Sequence, residues 1–183
     1  MQQNGRTKKV TEDYLERAAF HYLGRYSSSA YNLEQVLIRK VRRRNEEGAM
    51  PSEEQLNWIN KTCSKCVRLG LVDDAEYARA KAAAMNRGGK PLQQIKQALI
   101  HKGVSLDIID ATLQTLNESQ DEQADWNAAL TYARRRKFGP WRRATDDPEK
   151  QRKELAAMAR AGHRYQIASK IINESDTDGW DGP

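Results

Sequence analysis

The sequence predicts an all-α protein of short helices, and three observations predict it. No segment alternates apolar and polar residues for long enough to make a strand. Apolar residues instead recur three and four apart, the spacing of one helical face. Helix starts and helix stops follow one another at short intervals along the chain.

The elements follow in order. Residues 1–10 (MQQNGRTKKV) read as a flexible basic arm. Helix one starts near Thr11, with Glu12 and Asp13 complementing its positive end; Tyr14, Leu15, Ala18, Tyr22 and Leu23 form its stripe. Ser27-Ser28-Ser29 breaks the chain and offers a cap. Helix two carries Leu33, Leu37 and Val41 and ends in Arg42-Arg43-Arg44; a polar loop follows to Met50. Helix three opens with Pro51 and a capping box from Ser52 to Gln55, in which each side chain bonds the other residue's backbone N–H. Its inner positions are Leu56, Ile59, Cys63 and Cys66, and Gly70 stops it.

Asp73 or Asp74 caps helix four, whose inner residues are Tyr77, Ala80, Ala84 and Met85. Gly88-Gly89 ends it, and Pro91 suits the first turn of helix five because its missing N–H is not needed there. Helix five buries Ile95 and Leu99 and ends at Gly103. Ser105 caps helix six, with Ile109, Leu113 and Leu116 inside. An acidic connector (Glu118, Asp121, Glu122, Asp125) leads to helix seven, with Trp126, Leu130 and Ala133, which ends in Arg134-Arg135-Arg136-Lys137. A loop from Phe138 to Arg143 precedes Asp147-Pro148-Glu149, a cap, a first-turn proline and an acid in sequence. Helix eight carries Leu155 and Met158 and stops at Gly162. Helix nine carries Ile167 and Ile171, and the tail from 175 to 183 reads as disordered.

Composition narrows the class. The chain has 183 residues, 31% charged and 38% hydrophobic, with a net charge of +6. This is polar for a compact globule and suits an elongated helical protein with much exposed surface. The positive balance points to an acidic partner, nucleic acid or a nucleoprotein. No apolar run of about 18 residues can span a membrane, and the N-terminus lacks the apolar core of a signal peptide. Two cysteines are too few for a disulfide framework. A cytoplasmic monomer is expected.

The chain also resembles itself. Aligning Ala98 with Ala157 puts Leu99 on Met158, Gly103 on Gly162, Ile108 on Ile167 and Leu113 on Ile172. Aligning Leu33 with Ile95 puts Leu37 on Leu99 and Lys40 on Lys102. A helix of about 12 residues is roughly 18 Å long and is marginal alone, whereas three can bury one small core. The expected architecture is three tandem three-helix repeats, at 11–70, 71–117 and 118–174, forming an elongated, curved array.

Chemistry-bearing motifs are few. Cys63-x-x-Cys66 lies on the apolar stripe of helix three. No histidine among His21, His101 and His163 has the spacing to complete a zinc site, so the cysteines read as core. Asp73-Asp74 at a helix start reads as caps. Gly88-Gly89-Lys90 lacks the strand and the Ser/Thr of a phosphate loop. No nucleophile–base pair or metal cluster is visible, so neither enzymatic activity nor a cofactor is expected. What stands out is basic. Arg42, Arg43 and Arg44, and Arg134, Arg135, Arg136 and Lys137, crowd two helix C-termini beyond what dipole complementarity asks. Trp141 beside Arg142 and Arg143 sets an aromatic among cations, which suits a phosphate backbone with a base to stack or a carboxylate-rich groove. Lys81, Arg87, Lys90, Lys96 and Lys102 extend the candidate binding set.

One stretch resembles a known family. Leu69-Gly70-Leu71-Val72-Asp73-Asp74 with Tyr77-Ala78, then Gly89-Lys90-Pro91 with Ile95, Leu99 and Lys102-Gly103-Val104, is similar to the RecX family of bacterial recombinase regulators. Tyr22-Leu23 with Arg25, and Ala159-Arg160-Ala161-Gly162, match more loosely, so the resemblance covers about residues 11–174. Three features depart from the family: Ala161-Gly162-His163 stands where Arg-Gly-Phe is common, and both the loop from Phe138 to Asp147 and the connector from Arg42 to Met50 are long. The resemblance implies three tandem three-helix repeats. It also implies a protein that binds the RecA filament on DNA, lies along its groove and inhibits ATP hydrolysis and strand exchange, without catalysis of its own. Direct DNA contact stays open, and a stand-alone, non-specific helical DNA-binding protein is the alternative.

Overall fold

The computed structural model describes residues 9–121, 123–142 and 147–174. Among them it has nine α-helices, two short 3-10 turns and no strand. The helices are α1 (Glu12–Leu23), α2 (Ala30–Arg42), α3 (Glu53–Arg68), α4 (Asp74–Arg87), α5 (Leu92–Ile100), α6 (Leu106–Glu118), α7 (Ala124–Arg136), α8 (Pro148–Arg160) and α9 (Tyr165–Asn173). The chain divides into two compact units. The first runs to Tyr77 and takes in Lys102–Val104; the second holds Ala78–His101 and the chain from Ser105 onward.

The first unit is a bundle of α1, α2 and α3. Leu15, Ala19, Leu33, Leu37, Val41, Ile59 and Cys66 are fully buried in its core, with Val10 and Val72 closing it. Its helix starts are those the sequence signals. Thr11 Oγ1 accepts from Tyr14 N, Ser29 Oγ from Asn32 N, and Ser52 with Gln55 forms the reciprocal box. Two expectations fail here. Val10, placed in the N-terminal arm, is buried; the rest of the arm, residues 1–8, lies outside the described residues. Leu56 is exposed and Cys63 half-buried, while Thr62 is buried instead. The inner face of α3 runs through 59, 62 and 66, and Leu56 sits a turn above the core's edge.

The segment between α5 and α6 belongs to this unit. Ser29 Oγ donates to the Lys102 carbonyl, and Lys102 Nζ donates to Asn32 Oδ1 at 2.8 Å. Gly103 has φ +68, and a β-carbon there would overlap the Tyr31 ring. The Lys-Gly step therefore packs on the start of α2.

In the second unit α7, α8 and α9 share a core of Ala129, Leu130, Ala133, Met158, Ala168, Ile171 and Ile172. Trp126, Phe138, Trp141, Leu155 and Ile167 pack around its edge. Alongside, α5 and α6 bury Ile95, Leu99 and Ile109, while Leu113 and Leu116 are only half-buried. The expected inner face of α4 holds only in part: Tyr77 is buried and Met85 half-buried, but Ala80 and Ala84 are exposed, whereas Ala78, Ala82 and Asn86 are buried. An alanine-rich helix has little hydrophobic contrast between its faces, and Asn86 goes inside because its Nδ2 donates to the Ala124 carbonyl at 3.0 Å. Pro91 is the N-cap of α5, one place before the expected first turn. Ser105 caps α6 by position without a side-chain hydrogen bond. Asp125, assigned to the connector, lies in the first turn of α7, and its Oδ1 accepts from Leu92 N at 2.7 Å.

Candidate functional site

Three helix C-termini of the second unit meet at one groove. α4 ends in Arg87 and passes through Gly88-Gly89 to Lys90. α7 ends in Arg134-Arg135-Arg136, with Lys137 in the left-handed region at φ 58. α8 ends at Arg160. Gly89, at φ +81, brings the first of these ends against α7: a β-carbon there would stand 3.1 Å from Tyr132 N and 3.2 Å from the Ala128 carbonyl. Both the backbone angle and the close approach call for glycine. Arg135 Nη1 then reaches back to the Gly88 carbonyl at 3.2 Å.

The resulting groove, of about 510 Å³, is lined by Lys90, Tyr132, Arg135, Arg136, Ala157, Arg160 and Ala161. Four lining residues are cations and none is a carboxylate. Each helix C-terminus carries roughly half a negative charge, so three of them offset only about one and a half of the four positive charges. The surplus must be met by solvent ions or a partner. Arg136 lies 5.7 Å from the Tyr132 ring centroid. That ring is 8% exposed, too covered to stack a base. Guanidinium forks such as those of Arg135, Arg136 and Arg160 match phosphate and carboxylate oxygens equally well.

The other sequence candidates are dispersed. Arg42 Nε donates to the Gly48 carbonyl at 3.3 Å, Arg44 lies 3.6 Å over the Tyr14 ring, and Arg43 is exposed. Lys96 pairs with Asp110 at 2.7 Å, and Lys102 is bound to Asn32. Lys81 is half-buried; Arg87, Arg134 and Lys137 are exposed. Trp141 packs on the α7–α9 core instead of standing as a platform. Arg142 turns inward to Glu154 at 2.7 Å, with side chains 8% and 5% exposed. Arg143 lies outside the described residues. The residue that sequence reading missed is Arg160. Its signal was a cation beside a helix stop, the arrangement also seen at Arg87-Gly88.

Other chemistry finds little support. Burial, with Glu34 and Cys66 adding to it, pushes the Cys63 thiol up to about 12, far from a reactive thiolate. Among the described residues no three His, Cys, Asp or Glu side chains are placed to hold a metal ion. No described helix is long and apolar enough to cross a membrane.

Fold and groove together define an all-α protein of short-helix modules with a cationic groove. Residues 73–113 match the family described as RecX, second three-helix domain. The regulatory protein RecX of Myxococcus xanthus (strain DK1622) is 36% identical over 171 residues, which cover 93% of this chain and 90% of that protein. The regulatory protein RecX of Agrobacterium fabrum (strain C58) is 28% identical over 159 residues, covering 87% and 82%. The crystal structure of RecX from Lactobacillus salivarius shares the fold, with a TM-score of 0.59, 22% identity and coverage of 90% of this chain and 96% of that one. The chain belongs to the RecX family of regulatory proteins.

Proposed function

We propose that this chain binds the RecA–DNA filament in the cytoplasm, as a monomer, and lowers its ATP hydrolysis and strand exchange by occupancy rather than by chemistry. Membership of a family of regulatory proteins supports RecA as the partner. The observation that carries the reading is the groove of Lys90, Arg135, Arg136 and Arg160, whose positive charge exceeds what its three helix ends can absorb. A nucleoprotein filament presents repeated acidic surface. Three linked three-helix modules (11–70, 71–117 and 118–174) would engage successive parts of it, each weak alone and stronger through effective concentration. An occupied filament groove excludes an incoming duplex and resists the subunit motions of ATP turnover.

The test is DNA-dependent ATP hydrolysis by the cognate RecA, titrated with this protein across a salt series. Inhibition that weakens as salt rises is expected, since the contact is charge-driven. Full ATPase activity alongside tight, salt-sensitive DNA binding would replace this reading with that of a non-specific DNA-binding protein.

A further inference from the structure

The basic groove has an acidic counterpart in its own chain. No Lys, Arg or His follows Lys170, whereas Glu174, Asp176, Asp178 and Asp181 do. In a chain with a net charge of +6 this is a local reversal of sign. One aromatic, Trp180, sits among these acids. Residues 175–183 lie outside the described residues; α9 ends at Asn173, and Glu174 after it is exposed.

The second unit puts the groove within reach of that segment. The His163 ring lies 5.1 Å from the ring of Tyr132, which lines the groove. α9 begins two residues later, at Tyr165, and its nine residues span roughly 14 Å. The nine residues from 175 to 183, fully extended, cover about 30 Å. They can therefore run back along α9 to the groove with length to spare.

Other cations of this unit are already matched. In the pocket beside α9, Arg164 lies 3.7 Å from the Asp125 carboxylate, and Lys170 stands 5.1 Å from the Trp126 ring centroid. Arg142, near the end of α9, is closed off by Glu154. The groove of Lys90, Arg135, Arg136 and Arg160 has no carboxylate in its lining. Three aspartates would meet most of its surplus charge, and an indole face suits the plane of a guanidinium.

We propose that residues 175–183 dock in the basic groove of their own chain and mask it, with Asp176, Asp178 and Asp181 pairing with its cations and Trp180 lying on one of its arginines. A tethered segment acts at an effective concentration on the order of millimolar, so weak contacts suffice to fill the groove. An anionic partner must displace the segment and loses affinity in proportion to the docked fraction. This goes beyond the regulatory reading: it concerns what fills the groove between partners, whoever the partner is.

The test uses the full chain. A zero-length carbodiimide joins a carboxylate to an ammonium only where the two touch; it is applied at low salt and the links are mapped by mass spectrometry. An amide between Lys90 and Asp176, Asp178 or Asp181 is expected, with a yield that does not change on dilution. It should vanish at about 1 M salt, where the screening length falls to about 3 Å. It should also vanish in Arg135→Gln with Arg160→Gln, which keeps Lys90 but removes its neighbours; circular dichroism checks that variant's fold. No link to Lys90, links confined to Lys153 or Lys170, or a yield that falls on dilution would each overturn the proposal. For the mask, changing Asp176, Asp178 and Asp181 together to Asn should lower the half-inhibitory concentration against RecA about fivefold, as when about four-fifths of grooves are docked. In a chain that also carries Arg135→Gln and Arg160→Gln the same three changes should do little. An equal gain there would assign the effect to overall charge and overturn the mask. A Lys90 link in a protein that does not inhibit RecA would sink the regulatory reading and leave the docking in place.

Discussion

Glu154 holds Arg142 from inside the protein: Arg142 Nη2 lies 2.7 Å from Glu154 Oε2, and the same oxygen accepts from Gly139 N at 3.0 Å. One carboxylate of α8 thereby fixes the turn that follows α7. Taking away one partner of a buried pair strands the other's charge at a cost of about 3–5 kcal/mol, whereas replacing both with apolar groups is often close to neutral. Glu154→Gln is expected to destabilise the second unit by about 3 kcal/mol. Arg142→Leu with Glu154→Leu should cost clearly less. Urea titration followed by tryptophan fluorescence measures both, and equal losses would show that the charge pair does not dominate at this site.

Gly103 lies where no side chain fits, both because φ is +68 and because the Tyr31 ring occupies the space a β-carbon would need. Gly103→Ala should destabilise the first unit by about 2 kcal/mol or more. The two causes can be separated. Adding Tyr31→Ala removes the overlap but not the backbone strain, so it should recover only part of the loss. Full recovery would assign the effect to crowding alone.

How far the sequence went is clear from these residues. Helix starts and stops are local events, and Thr11, Ser29, Ser52 with Gln55, Asp73 and Asp147 all make the bonds their positions suggest. The cores of α2 and α5 were legible because Leu33, Leu37, Ile95 and Leu99 stand out from polar neighbours. The inner face of α4 was not, because alanine occupies buried and exposed positions alike. The groove was half legible. Arg135, Arg136 and Lys90 could be suspected, but their meeting with Arg160 depends on three helix ends far apart in the chain. Arg142 read as a binding cation beside Trp141, since nothing in the sequence says that Glu154 will reach it.

Asp73 and Asp74 are adjacent yet serve different helices. Asp73 Oδ1 accepts from Ala75 N at 2.9 Å and Glu76 N at 3.0 Å at the start of α4. Asp74 Oδ1 accepts from Ala30 N at 2.8 Å, in the first turn of α2. Each alanine substitution should cost about 1 kcal/mol, as the loss of a cap does. Because the two bonds share no partner, the double variant should lose nearly the sum, within about 0.5 kcal/mol. A strong coupling energy in chemical denaturation would mean that the carboxylates act as one group.

His163 makes stability depend on pH, and the sign follows from its low proton affinity in the fold. The group is pushed from its ordinary 6.5 to about 4, chiefly by burial. Between those values the unfolded chain binds the proton and the folded chain does not, so stability is complete above about pH 6.5 and declines as pH falls towards about 4. The loss should reach roughly 2–3 kcal/mol over that window. In His163→Phe the decline should shrink by that amount, with little change near neutrality. Thermal melts of both proteins across this range measure it, and parallel curves would show that His163 ionises freely in the folded protein.

The cationic groove also predicts an order among arginines that simple counting of charge does not. Arg134 lies in the last turn of α7 and Arg160 ends α8, yet only Arg160 lines the groove. If inhibition of RecA depended on net charge alone, Arg134→Gln and Arg160→Gln would weaken it alike, because each removes one positive charge. If it depends on a site where Lys90, Arg135, Arg136 and Arg160 converge, Arg160→Gln should raise the half-inhibitory concentration about five- to tenfold, equivalent to about 1 kcal/mol for one charged contact. Arg134→Gln should change it by less than about twofold. Arg160→Lys tests the geometry further: it keeps the charge but loses the planar fork, and so should fall between the two. ATP hydrolysis by RecA at fixed salt ranks all three, and equal effects of the two glutamine variants would assign the inhibition to overall charge instead of this groove.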